Sequence, residues 1–217
     1  MSLIKYLFAV FVLTVAGIGA TQAGIIIGTG GASGPTTLAT DNFNRADNAD
    51  LGTAWDPMTG EGSWSIVSNH AEPTSLLSDS SESNNSVTWP DDQYSQAKIT
   101  TSGGSSGGGE GTGVAVRMSA VARTYYRAVV NAAATNNIEV GKVVAGTFTS
   151  LGFRSATWVS GDVLKMQIVG TTIKIFQNGT QLGADITDSS IASGRAGISY
   201  SSQAVTGSLE DWEGGAP

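Results

Sequence analysis

The sequence predicts an all-β domain of sandwich or barrel type, and three observations carry that prediction. Gly, Ser and Thr together supply more than a third of the 217 residues, Gly alone 29 of them. Short runs of branched and aromatic residues recur between Gly, Asn, Asp and Ser turn signals, at the spacing of paired antiparallel strands. Outside an apolar N-terminal stretch no segment keeps a helical hydrophobic period, and Ala132 to Ala134 is too short to form one. The composition also excludes. Charged residues are 13% and hydrophobic residues 40%, which argues against both a coiled coil and a disordered chain. Without cysteine there is neither a disulfide framework nor a thiolate zinc site. A net charge of −7 with scattered basic residues makes nucleic acid and anionic membrane surfaces poor partners, since both are bound through Lys and Arg.

In chain order, Lys5 precedes an apolar run from Tyr6 to Val15. Thr21 and Ala23 then stand at −3 and −1 of a cleavage position after Ala23. This is the three-part pattern of a secretory signal peptide over 1–23. The second reading is a retained anchor from Tyr6 to Ile27, whose 22 residues are long enough to cross a ~30 Å hydrocarbon core. Both readings place the protein outside the cytoplasm, secreted, at a cell surface or on a virion, with any membrane contact confined to this segment. Residues 24–40 contain the Gly28–Thr40 run of Gly, Ser and Thr and read as a flexible linker. One domain over 41–214 follows, long enough to bury a single core.

Within it, Val114–Met118, Tyr125–Asn131, Ile138–Val144 and Val163–Val169 are the clearest strands. Leu164, Met166 and Ile168 alternate with Lys165 and Gln167, which directs one set inward and the other to solvent. Ile173–Gln177 runs into Asn178-Gly179 and on to Leu182, a hairpin whose two turn residues tolerate positive φ. Ser102–Gly113 reads as a loop joining two strands.

Few catalytic patterns survive inspection. The Gly-rich stretch lacks the Lys of a phosphate-binding loop and leads into a strand. The nucleophile-elbow match at Gly103–Gly107 has no later His, because His70 is the only one and precedes it. Glycoside hydrolysis commonly needs two carboxylates about 5–9 Å apart. Strict alternation along Glu210-Asp211-Trp212-Glu213 puts Asp211 and Glu213 on one face, but at the chain's closing strand. A calcium site remains open through Asp41 and Asp211, because Ca²⁺ takes carboxylate and carbonyl oxygens. The same residues also read as turn formers or solvated strand ends.

Asp41-Asn-Phe43-Asn-Arg45, Leu51-Gly52, Trp55 and Gly62-Ser-Trp64-Ser-Ile66 resemble the opening of concanavalin A-like lectin/glucanase jelly rolls. They are most similar to the laminin-G-like domains of bacterial and phage surface proteins. Gly113–Arg117, the Val169–Gly179 hairpin, Gly194–Ile198 and the closing Leu209–Glu213 continue the resemblance through nearly all of 41–214. It implies a two-sheet antiparallel jelly-roll sandwich with six or seven strands per sheet, one sheet concave, and first and last strands adjacent. Phe43, Leu51, Trp55 and Trp64 would then pack one end of the core and Trp212 would close it. Asp41 would lie near Asp211, where some relatives hold structural calcium. The acidic strand of the glucanase branch, Glu-x-Asp-x-Glu, is absent.

The expected function is a non-catalytic surface module that binds a glycan or cell-surface polysaccharide. Trp89, Tyr94, Tyr125 and Trp158 are the candidate aromatic platforms, and Arg117, Arg127 and Glu139 the candidate polar partners. Each of these also reads as core or edge packing. A structural subunit of a virion or other assembly, held by its N-terminal arm, is the alternative. An endo-acting glycosidase or polysaccharide lyase comes third.

Overall fold

The computed structural model describes residues 34–75, 79–102, 111–131, 137–201 and 207–217. The leader or anchor expected over 1–23 lies outside the described residues, as does the centre of the Ser102–Gly113 loop. The described residues contain no helix. Their strands are β1 (Thr36–Asp41), β2 (Trp55–Pro57), β3 (Trp64–Val67), β4 (His70–Pro73), β5 (Ser80–Asn84), β6 (Gln93–Ser102), β7 (Gly111–Ser119) and β8 (Thr124–Asn131). There follow β9 (Asn137–Val144), β10 (Thr147–Ser155), β11 (Asp162–Val169), β12 (Thr172–Gln177), β13 (Thr180–Gln181), β14 (Ile186–Thr187), β15 (Arg195–Ser201) and β16 (Gly207–Ala216).

They form two antiparallel sheets. One has seven strands in the order β10-β9-β8-β7-β15-β5-β2. The other has nine, ordered β13-β12-β11-β6-β16-β4-β3, with β1 on β16 and β14 on β12. The fold is the predicted all-β jelly-roll sandwich, with more short strands in one sheet than expected. First and last strands pair as the resemblance implies, Asp41 opposite Trp212. β1 begins at Thr36, so Thr36–Thr40 belong to the sheet and not to the linker. Gly111 to Gly113 likewise belong to β7, not to a loop.

Alternation decides what enters the core. In β11, Leu164, Met166 and Ile168 are fully buried between the sheets while Lys165 and Gln167 face out. Val114 and Val116 of β7, Tyr126, Ala128 and Val130 of β8, and Ile138 and Val140 of β9 meet them from the other sheet. At one end Trp55 packs between Phe43 and Trp212, with ring centroids 5.7 and 4.7 Å away. The hairpin turn is as predicted, Asn178 and Gly179 both having positive φ. Gly197 of β15 is a different kind of requirement: a Cβ there would run into the Glu82 carbonyl and the Met118 sulfur, so only glycine lets β5 and β15 pair at this point.

A bulge corrects one prediction of facing. Asp211 adopts a φ of 48°, and the register of β16 on β6 slips between Glu210 and Glu213. The extra residue turns Glu210 and Glu213 to the same outer face, opposite Lys98 and Gln96, while Trp212 still points inward. Strict alternation, which pairs Asp211 with Glu213, does not hold.

Candidate functional site

The outer face of the seven-stranded sheet gathers three of the predicted site residues. In β8 the buried Tyr126, Ala128 and Val130 enter the core, so Tyr125, Arg127 and Val129 take the opposite face. Across the next ladder Arg127 lies opposite Gly141 and Val129 opposite Glu139. Arg127 and Glu139 are therefore diagonal neighbours on one surface, a separation long side chains span. The edge strand β10 adds two aromatics, with Phe153 opposite Glu139 and Phe148 opposite Val143. Phe148 leans across the sheet, where a Cβ at Gly141 would collide with its ring. It lies 4.4 Å from the Arg127 guanidinium, a cation–π contact.

The polar groups of this patch are only partly used. Arg127 is 3% exposed and stands 3.4 Å from an Asp79 oxygen, yet its Nε and Nη1 make no hydrogen bond among the described residues. Glu139 has neither an ion pair nor a hydrogen bond among the described residues. Phe148 and Phe153 stay open, at 39% and 50% exposure. An aromatic surface above an acceptor-only carboxylate suits a ligand with apolar C–H faces and hydroxyl rims.

Tyr125, on the same face, is closed off. Met58, Met118, Val143 and Ala115 pack around it, and its hydroxyl donates to Glu61 at 2.7 Å. Burial first, and then the Glu61 charge, hold its phenol well above the ordinary range. Arg123 donates to the same Glu61 oxygen at 2.9 Å. Tyr125 is thus a packed anchor for the 58–61 segment and not a platform.

The other predicted residues are not brought to this surface. Trp89 packs 6.1 Å from Trp212, and its indole N–H donates to the Asn84 carbonyl at 2.7 Å. Tyr94 is buried on the outer face of the other sheet, beneath the Lys165 ammonium at 3.9 Å, with its hydroxyl on Glu213 and Thr37. Trp158 is 7% exposed and belongs to the core. Arg117 is a clamp. Its Nε, Nη1 and Nη2 donate to the carbonyls of Asp91, Ile191 and Gly170 at 2.8–2.9 Å, Nη2 lies 3.7 Å from Asp92, and the side chain is 4% exposed, so it ties loops together and is not a surface group.

Asp41 and Asp211 line one small depression of about 190 Å³, as the pairing of β1 with β16 requires. The donors present do not suit a cation there. Asp41 Oδ1 accepts the Phe43 N–H and Arg45 Nη1, and Oδ2 accepts Trp55 Nε1 and Arg45 Nη2. A calcium ion would have to displace a guanidinium, and Asp211 is turned to solvent by the bulge. No group of three or more acidic or His side chains gathers among the described residues.

Sequence reasoning missed Phe148 and Phe153. Five residues apart, they fall on opposite faces of a regular strand. A register shift between Ser150 and Gly152 restores them to one face. Gly152 inside the run is the only sequence signal of that bulge.

No family model matches the sequence, and no curated protein matches it. Solved structures do. The carbohydrate binding module CBM66 from Bacillus subtilis superposes with a TM-score of 0.62 at 18% identity, covering 77% of this chain and 98% of that one. The exoplasmic/lumenal domain of VIP36 in its Ca²⁺/Man-bound form gives 0.52 at 14% identity, over 75% of this chain and 83% of that one. A Bacillus subtilis protein of unknown function with a galectin-like fold gives 0.55 at 9% identity, over 83% and 97%. Identities this low speak for the fold alone, a two-sheet antiparallel jelly-roll sandwich.

Proposed function

We propose that the protein is a non-catalytic glycan-binding module that works outside the cytoplasm, with its site on the β8–β10 part of the seven-stranded sheet. One observation carries this reading: sheet register and the β10 bulge place Glu139, Arg127 and two open phenylalanines on one surface. Phe153 supplies the stacking face for a sugar ring. Glu139 is the hydroxyl acceptor at the base of the patch, and the buried Arg127 holds the Phe148 ring in place. The structural likeness to a carbohydrate binding module and to a Ca²⁺/Man-bound domain supports the same reading.

A glycan array followed by calorimetry tests it. Binding to at least one polysaccharide is expected, weakened at least about tenfold in Phe153→Ala, the scale of one aromatic contact. Glu139→Gln should weaken binding similarly while leaving stability unchanged. Because Arg45 occupies the carboxylate of Asp41, EDTA should not alter affinity. An array with no hits, or hits indifferent to both substitutions, would remove the proposal.

A further inference from the structure

A recess separate from this face opens at the edge of the sandwich, where β2 ends its sheet. It has a volume of about 430 Å³ and draws its walls from Asp50, Leu51, Trp55, Pro57, Ser63 and Glu82, among others. That is within the roughly 300–1,000 Å³ of small-molecule sites. Leu51, Trp55 and Pro57 provide apolar wall. The Trp55 indole N–H is already held by Asp41, so the ring offers only carbon to an occupant.

Glu82 gives the recess its chemistry. It pairs with Ile198, a core residue, and so points between the sheets, 2% exposed. Its Oε1 accepts the Trp64 N–H at 2.8 Å, whereas Oε2 has no hydrogen bond or ion pair among the described residues. A carboxylate so little exposed, with a single hydrogen-bond donor, is costly to the folded state when ionised. Asp50 adds a second, exposed carboxylate, steadied by the Gly52 N–H at 2.8 Å. No Lys, Arg or His is among the lining residues, and the neighbouring Arg195 is committed to Asp56. Arg45, which donates to the Leu51 carbonyl, is likewise committed to Asp41, so Asp50 and Glu82 in its ionised form repel an anion and favour a cation, whose binding draws the proton off Glu82.

We propose that this recess binds a small organic ammonium ion of about monosaccharide size, such as an amino sugar, with the ammonium on Glu82 Oε2 and Asp50 and the ring against Leu51 and Trp55. The site is independent of the β8–β10 surface. NMR titration of the full chain near neutral pH with glucosamine, cyclohexylamine, glucose and glucuronate reads it directly. Saturable shifts in residues 50–57 and at Glu82 are expected with both amines. Glucose should bind about tenfold more weakly and glucuronate not at all, the margin of one charge-assisted hydrogen bond. Glu82→Gln, which keeps the Trp64 acceptor and hence the fold, should weaken amine binding at least about tenfold. Asp50→Asn should weaken it less. Glucose binding as tightly as glucosamine, or amine shifts that survive Glu82→Gln, would overturn the assignment. Glycan binding in Glu82→Gln should be unchanged, so the two sites fail separately.

Discussion

Replacing Arg117 by methionine is expected to destabilise the protein by about 2–4 kcal/mol. The guanidinium is 4% exposed and satisfies three main-chain carbonyls from three loops, at Asp91, Gly170 and Ile191. Methionine keeps most of the apolar volume and removes every donor. A carbonyl left unpaired costs about 1–3 kcal/mol where it is buried, as at Ile191, and less at Asp91 and Gly170, which are exposed and border a recess that water can enter. Lysine should recover only part of the loss, because one ammonium cannot reach three divergent acceptors in the geometry of a planar fork. The aim of the side chain depends on local backbone. Arg117 has a φ of 51°, and β7 slips register there against both β8 and β15. Its amide is held by Gln93 Oε1 at 3.0 Å, and that Gln in turn donates to the carbonyls of Pro90 and Gly194. Urea denaturation checks the prediction: the midpoint should fall with an unchanged m-value. A loss below about 1 kcal/mol would show that the clamp is ornamental.

Arg117 also marks where the sequence stops being legible. Period-two alternation was enough to read β11, and Asn178-Gly179 was enough to read its hairpin, because both signals are local. The aromatic end of the core, Phe43, Trp55, Trp64 and Trp212, was legible through the resemblance, since the order of these residues is a feature of the fold. The bulges were not. At Arg117, Ser150–Gly152 and Asp211 one added residue inverts facing, and the sequence around each is compatible with a regular strand. Tyr125 and Arg127 share a face by alternation within one strand, but only the register of β8 on β9 adds Glu139 to it, and only the bulge in β10 adds Phe148 and Phe153. Only residue type recommends Trp89, Tyr94 and Trp158 as platforms, and residue type does not separate an exposed platform from a buried ring. Glu82 lies in Ser80-Ser-Glu-Ser-Asn, whose polar composition gives no hint that it forms an interior strand.

That buried glutamate should set the pH dependence of stability. Burial, reinforced by the charges of Asp50 and Asp56 and opposed by the Trp64 N–H, raises the Glu82 carboxyl from 4.5 to about 7. The folded state therefore holds this proton more tightly than the unfolded chain. Its contribution is fully present below about pH 4.5 and is lost as pH rises through about 7. The shift corresponds to on the order of 3 kcal/mol between the two limits. Asp188 acts on the other side. Burial opposes its ionisation, but the Lys142 ammonium and the Tyr126 and Ser190 hydrogen bonds outweigh it and hold the carboxyl well below the usual range. Its contribution is present above the ordinary carboxylate pKa and disappears only in strong acid. Maximum stability should accordingly fall on the acidic side of neutrality, near pH 5. The net charge of −7 works in the same direction through self-repulsion. A substitution separates the two causes. Glu82→Gln changes the net charge by a single unit but abolishes the titration, so stability at pH 8 should rise by on the order of 3 kcal/mol over the parent and be nearly unchanged at pH 4.5. Unfolding free energies measured by denaturant across this interval give both slopes. If parent and variant fall in parallel between pH 5 and 8, Glu82 is ionised throughout and general repulsion alone governs the slope.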